Sequence, residues 1–204
     1  MTLIQRLVSC VAATLLFAGS LSAAQVGASA PAFSLVDTQG NEHSLSDFEG
    51  KVVVLEWTNF GCPFVKKHYN SGNMQGLQEH ATGKDVVWLS ICSSAPGKQG
   101  NMSSEEWSSA LEEKGSKATA VLIDESGEVG RAYGAKATPH MFVIDESGTL
   151  VYDGAIDSIA SASPSDIEKA ENYVKSALAS LFAGEPIETA KAKPYGCGIK
   201  YAQN

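Results

Sequence analysis

The run Val52-Val53-Val54-Leu55 leads into Trp57-Thr58-Asn59-Phe60-Gly61-Cys62-Pro63-Phe64-Val65-Lys66-Lys67-His68. An uninterrupted apolar, β-branched run reads as a strand buried on both faces, here over roughly 51–57. The short turn after it contains glycine and ends in one cysteine with a proline behind it. Proline is favoured at the first position of a helix, where its missing N–H would have had no partner. Cys62 is therefore predicted at a helix N-cap, at the end of a central strand. The free N–H groups and the positive end of the helix dipole stabilise an anion there. For cysteine that anion is the thiolate, the reactive form. Lys66, one turn on at i+4, is the nearest cation predicted to tune the thiol. The competing reading is a buried, inert cysteine.

The N-terminus is of a different kind. Residues 1–6 are short and basic, Leu7 to Ala18 is apolar, and Ser22 and Ala24 stand at −3 and −1 of a small-residue cleavage site. This is the pattern of a secretory signal peptide over 1–24, with a membrane anchor as the alternative. No later apolar run reaches the ~20 residues that a bilayer demands. Removing 1–24 takes away Arg6 and no acid, which leaves 14 basic and 23 acidic residues, a net charge of −9. So acidic a chain is a poor partner for nucleic acid or for an anionic membrane surface after signal cleavage. Export places the protein, in a bacterium, in the periplasm, where disulfides persist. Cys10 leaves with the signal. The remaining Cys62, Cys92 and Cys197 are an odd set, which points to one disulfide plus a free thiol or to a reactive cysteine.

Along the chain, extended pieces at 33–36 and 42–45 flank turn residues 37–41 and read as a hairpin. After Cys62 a helix is expected to about 70 and a second piece over 73–80, separated by Ser71-Gly72. A strand follows at 85–91. Ser103 and Glu106 make a capping box for a helix to about 114. A strand at 120–124, a short helix over 126–133, a strand at 141–144 and its return at 149–152 complete the alternation. Ser163-Pro164 is expected to open the last helix and Gly184 to close it, with Ile167, Ala170, Val174, Leu178 and Leu181 on one apolar face. The order predicts an α/β domain over 25–184, a central mixed sheet flanked by helices, with an N-terminal β-hairpin and a C-terminal tail, 185–204, that carries Cys197.

Three stretches in this order resemble a known family. The Cys-Pro helix start after a Trp-containing strand end, and Ala137-Thr138-Pro139 before a later strand, resemble the thioredoxin fold. Pro31-Ala32-Phe33-Ser34-Leu35 and Ser44-Leu45-Ser46-Asp47-Phe48 look like the opening of the alkyl hydroperoxide reductase and thiol-specific antioxidant group. Together with Cys62-Pro63-Phe64-Val65, Thr138-Pro139-His140 and Gly196-Cys197-Gly198-Ile199-Lys200, the chain is similar to a secreted, peroxiredoxin-like branch of thioredoxin-fold proteins with a redoxin domain. Cys62 matches the attacking cysteine. The usual second cysteine of Cys-x-x-Cys is Val65 here, and Arg131 is the one arginine after residue 6.

The resemblance implies an exported thiol-disulfide oxidoreductase or antioxidant enzyme with an unidentified redox partner. Its substrates would be protein or small-molecule disulfides, with hydroperoxides as the alternative. A thiolate that attacks a disulfide or a peroxide leaves a product that a second thiol must resolve. Cys197, between two glycines on a mobile tail, is the preferred resolving thiol. Cys92 at a neighbouring strand end is its rival or a small buried residue. A Cys62–Cys197 bond could equally be a structural staple in a non-catalytic module. Thr138 and Pro139 match a substrate-binding loop with a cis proline. Trp57 and Phe60 are read either as ordinary core residues or as aromatics that shield the sulfur and meet the substrate. His140 follows Pro139 and is read either as a titrating neighbour of the thiolate or as a strand-facing residue, and His68 is off the cysteine's helix face. No His or Cys pair has metal-ligand spacing, so neither a metal nor another cofactor is expected.

Overall fold

The computed structural model describes residues 24–203, so the expected signal peptide lies, except for Ala24, outside the described residues. Among the described residues the strands are β1 (Ser34–Asp37), β2 (Glu42–Ser44), β3 (Val53–Trp57), β4 (Val87–Cys92), β5 (Ala120–Ile123), β6 (Ala137–Thr138), β7 (His140–Ile144), β8 (Leu150–Gly154) and β9 (Cys197–Gly198). The α-helices are α1 (Pro63–Asn70), α2 (Asn73–Thr82), α3 (Ser104–Lys114), α4 (Glu128–Tyr133) and α5 (Tyr173–Ala183).

Seven strands form one sheet in the order β2-β1-β5-β4-β3-β7-β8. β3, β4 and β5 run parallel, and β1, β7 and β8 join antiparallel, so the sheet is mixed as expected. The apolar run is the reason that β3 lies inside: every residue of the strand is buried. Successive side chains point to opposite faces. Val52 and Val54 pack with residues of α1, α2, α3 and α5, including Val65, Leu77, Trp107 and Leu178. Val53, Leu55 and Trp57 pack on the other face with Phe33, Tyr133, Phe142 and the N-terminal lead.

Local signals fix several boundaries. Gly72, in the left-handed conformation that glycine adopts at no steric cost, separates α1 from α2. The Ser103–Glu106 capping box opens α3. The last helix is shorter than expected. Pro164–Asp166 makes only a 3-10 turn, and α5 starts at Tyr173, with the Asn172 side chain accepting the Lys175 N–H at 2.9 Å. The reason is tertiary: Asp157 bridges to Asn172 and the Ser158 N–H donates to Glu171, which closes the segment between as a loop. Ile167 and Ala170 thus fall outside α5.

The tail departs most from expectation. It is not a free end but docks along the domain. Residues 190–192 bond to Asp153, and β9 pairs antiparallel with β6. Beyond it, the Ala95 N–H donates to Lys200, Arg131 donates to the Ala202 carbonyl at 2.7 Å, and the Tyr201 hydroxyl donates to Ala135 at 2.9 Å.

Because Leu55 is fully buried in the central strand, Leu55→Ala should cost about 2–5 kcal/mol of stability. Urea titration should show a lower midpoint with an unchanged slope.

Candidate active site

Cys62 arises from the end of β3. The Thr58 N–H continues the pairing to the Ile91 carbonyl at 2.9 Å. Asn59 then folds the chain over: its side chain accepts the Gly61 N–H at 2.8 Å and its carbonyl accepts the Cys62 N–H at 2.9 Å. Cys62 is extended, at φ −78° and ψ 127°, and is the N-cap of α1 with Pro63 behind it. This is the placement that the sequence predicts.

The sulfur has no exposed surface. Its thiol donates to the Thr138 carbonyl at 3.1 Å. Thr138 precedes Pro139 through a cis peptide bond, as expected, and pairs in register with Cys197. The strand pairing carries the Cys197 thiol onto the Cys62 sulfur, and both cysteines, like Cys92, are free thiols. Burial is the largest influence on Cys62 and opposes its ionisation. Against it, the Cys197 thiol, the Thr138 side chain and the backbone N–H groups of Val65 and Cys197 bond to the sulfur, and together they hold its pKa below that of an ordinary thiol. The same contact acts oppositely on Cys197. Burial, donation to Cys62 and repulsion by the Cys62 charge push its pKa up to about 11. The shared contact thus makes Cys62 the more acidic member of the pair and Cys197 the less acidic.

The other expected site residues lie elsewhere. Lys66 is exposed and is not among the groups that tune Cys62, so hydrogen bonds do the work expected of its charge. Trp57 is fully buried on the opposite face of the sheet, where its indole N–H donates to Ser93 and its ring packs on Tyr133 and Phe142, out of reach of a substrate. Phe60 shares a core cluster with Cys62, but its ring is edge-on to Tyr69 and tilted on Trp107, a packing role. His140 is buried and turned to Asp153 at 2.9 Å, with the Lys136 N–H donating to its other ring nitrogen. The Cys92 thiol donates to the Gly100 carbonyl at 3.2 Å, and burial raises its pKa. Arg131 donates to Ser126 and Ala202 and lies over the Tyr201 ring. Among the described residues, no group of three or more His, Cys, Asp or Glu is placed to hold a metal ion.

The protein-family model "Redoxin" matches residues 25–172. This chain belongs to the Redoxin family. Relatives of the redoxin include the thiol-disulfide oxidoreductase ResA of Geobacillus kaustophilus, 28% identical over 136 residues that span 63% of this chain and 68% of that protein. ResA of Geobacillus thermodenitrificans is 27% identical over the same shares. Among solved structures, a hypothetical protein from Sinorhizobium meliloti superimposes with a TM-score of 0.77 at 23% identity, covering 90% of this chain and 98% of that one. A putative thiol:disulfide interchange protein DsbE from Chlorobium tepidum gives 0.51 at 24% identity over 64% and 85%. The fold is thioredoxin-like.

Two buried polar centres of the redoxin went unread in the sequence. Glu56 on β3 is fully buried, and its carboxyl accepts from the Tyr69 hydroxyl at 3.0 Å, Trp88 Nε1 at 2.9 Å, Ser90 at 3.0 Å and Gln78 at 3.2 Å. Burial raises its pKa against these donors. An acid inside an apolar strand was the available signal. The second centre is Asp157. Lys67, also buried, donates to it at 3.2 Å, and the Tyr195 hydroxyl on the tail donates to its other oxygen. His68 lies beside this pair with Nε2 3.8 Å from Asp157, and Asn73 donates to its Nδ1 at 2.7 Å. A buried Lys-His pair in an otherwise apolar helix face was the signal for its near half.

Burial, opposed by Asp157 and aided by Lys67, lowers the His68 pKa to about 4 from 6.5. On acidification the unfolded chain takes up this proton first, so the folded state loses stability as pH falls from 6.5 towards 4. The loss amounts to at most about 3 kcal/mol. Denaturant midpoints across that window should fall less steeply for His68→Gln than for the unaltered protein. At the sulfur, Cys197→Ala removes a donor, so the thiolate absorbance of Cys62 should titrate at higher pH than in the unaltered chain.

Proposed function

We propose that this redoxin is an exported thiol-disulfide oxidoreductase in which Cys62 is the nucleophile and Cys197 the resolving thiol. The observation that carries the reading is the sulfur pair. One thiol sits at a helix N-terminus among donors that favour its anion, and a second, protonated thiol is held on it by strand pairing. The relatives named as thiol-disulfide oxidoreductases support the reaction class, and the signal-like N-terminus supports export. Thr138 shapes the contact through its carbonyl and side chain, and Pro139 completes the loop.

The electrons balance within two exchanges. The Cys62 thiolate attacks one sulfur of a substrate disulfide. A Cys62–substrate disulfide forms, the substrate bond breaks, and the departing thiolate takes up a proton. Cys197 then loses its proton and attacks the Cys62 sulfur. A Cys62–Cys197 disulfide forms, and the second substrate thiol leaves. Two electrons have passed from the cysteine pair to the substrate, and a dithiol redox partner returns them by the reverse exchanges. A hydroperoxide is the alternative oxidant of the same thiolate. The disulfide is preferred because Arg131, the one arginine after residue 6, is engaged by the tail rather than by Cys62.

Reduction of a disulfide substrate, followed by release of free thiol, is the test. Cys62→Ser should abolish it. Cys197→Ser should retain the first attack and accumulate a Cys62–substrate adduct, seen as added mass that reductant removes. Turnover by Cys62→Ser at the unaltered rate would overturn the reading.

A further inference from the structure

The Cys62 sulfur lacks exposed surface, so no disulfide can meet it in the conformation described. What covers it is the tail. β6 is only two residues long, and its pairing edge lies beside the sulfur: Thr138 gives its carbonyl to the Cys62 thiol, and β9 takes the edge with Thr138 opposite Cys197 and Ala137 opposite Gly198. An exposed strand edge is where an extended polypeptide gains affinity through main-chain hydrogen bonds. Here the chain supplies that polypeptide itself, with a cysteine in the position of the sulfur to be attacked.

The segment is built to sit there. Gly196 has φ +129°, and a methyl group on it would collide with the Thr138 carbonyl oxygen. Residues 190–192 are tied to Asp153, and the stretch from Ile199 to Ala202 is tied to Lys136, Ala95 and Arg131. Between these anchors the Cys197 side chain reaches the Cys62 sulfur and the Tyr195 side chain reaches the core. The Tyr195 hydroxyl donates to Asp157, whose other oxygen is held by the buried Lys67, and the Tyr195 ring lies edge-on to Phe64 of α1, with centroids 5.8 Å apart. The stretch that lies over Cys62 is therefore short, and Tyr195 ties it to Asp157 and to α1.

We propose that the tail is a tethered stand-in for substrate: the redoxin acts on polypeptide disulfides whose extended, cysteine-bearing segment, with glycine ahead of the cysteine, replaces β9 on β6 once the Tyr195–Asp157 latch opens. This rests on the thiol-disulfide reading of the same site. Substrate docking and resolution then exclude each other. The returning tail re-forms the strand pair, brings Cys197 to the Cys62 sulfur and ejects the reduced substrate in one exchange. Tyr195 is a positioning residue that touches neither sulfur's reacting partner.

The test uses the full chain with Cys197→Ser, so that Cys62 and Cys92 remain and no bond joins tail to site. Iodoacetamide labelling of each cysteine is followed by mass mapping, at a pH above the Cys62 titration, where the rate reports access alone. Adding Tyr195→Phe, Tyr195→Ala or Gly196→Ala should raise the Cys62 rate, by about tenfold or more for the two alanine variants, because labelling of a covered group follows its local opening. Cys92, buried under another loop, should not change. A tethered strand has an effective concentration on the order of millimolar, so a peptide of residues 191–200 with Cys197→Ser is offered at that level. It should protect Cys62 in the Tyr195→Ala protein, and the same peptide carrying Gly196→Ala should not. A Cys62 rate unmoved by every variant would overturn the proposal. So would Cys62 and Cys92 rising together, which is general loosening, or equal protection by both peptides. Cys62-dependent disulfide turnover with an insensitive labelling rate would overturn this proposal and leave the oxidoreductase reading standing. Latch-dependent labelling without any disulfide turnover would remove the oxidoreductase reading instead.

Discussion

Glu56 sets the frame in which Cys62 is held. Its carboxyl lies in the middle of the sheet without access to water and gathers hydrogen bonds from α1 through Tyr69, from α2 through Gln78 and from β4 through Trp88 and Ser90. A buried acid is tolerable only when such donors replace its lost hydration. Satisfying it therefore fixes where α1 and α2 sit against β3 and β4. That constraint reaches the site directly, because Cys62 is the first residue before α1 and takes its position from the turn that joins β3 to that helix.

The second organising feature is the contact between two sulfurs. A pair of acidic groups in contact cannot easily ionise together, so a donor on one becomes the stabiliser of the other. The Cys197 thiol, the Thr138 side chain and the Val65 N–H at the helix N-terminus make Cys62 the more acidic member. This asymmetry does not come from a neighbouring cation. Lys66 stays in solvent, while Lys67 is buried and devoted to Asp157, so the one lysine buried among the described residues serves the attachment of the tail.

Much of this was legible in the chain. The apolar run, the Cys-Pro step, the capping box at Ser103 and the Gly72 break each act through local chemistry, and each stands where it was expected. Where expectation failed, a distant partner decided the outcome. The helix foreseen from Ser163 is cut short because Asp157 and Ser158 pair with Asn172 and Glu171. Of the two readings of Trp57, core residue or shield of the sulfur, strand alternation decides for the core by sending its side chain to the other face. His140, open between two readings, is settled by Asp153, a partner on the neighbouring strand that no spacing reveals.

The sequence by itself determined that a parallel-centred α/β sheet would form and that one cysteine would stand at the junction of its central strand and a helix, because both follow from short-range patterns of apolarity and capping. Only the tertiary structure decided what that cysteine meets. The tail forms β9 only because β6 offers it an edge. Its seat depends on Gly196 passing the Thr138 carbonyl and on Tyr195 reaching an aspartate 38 positions away. Hydrogen bonds between segments so far apart are chosen by the packed fold as a whole, and no local pattern encodes them.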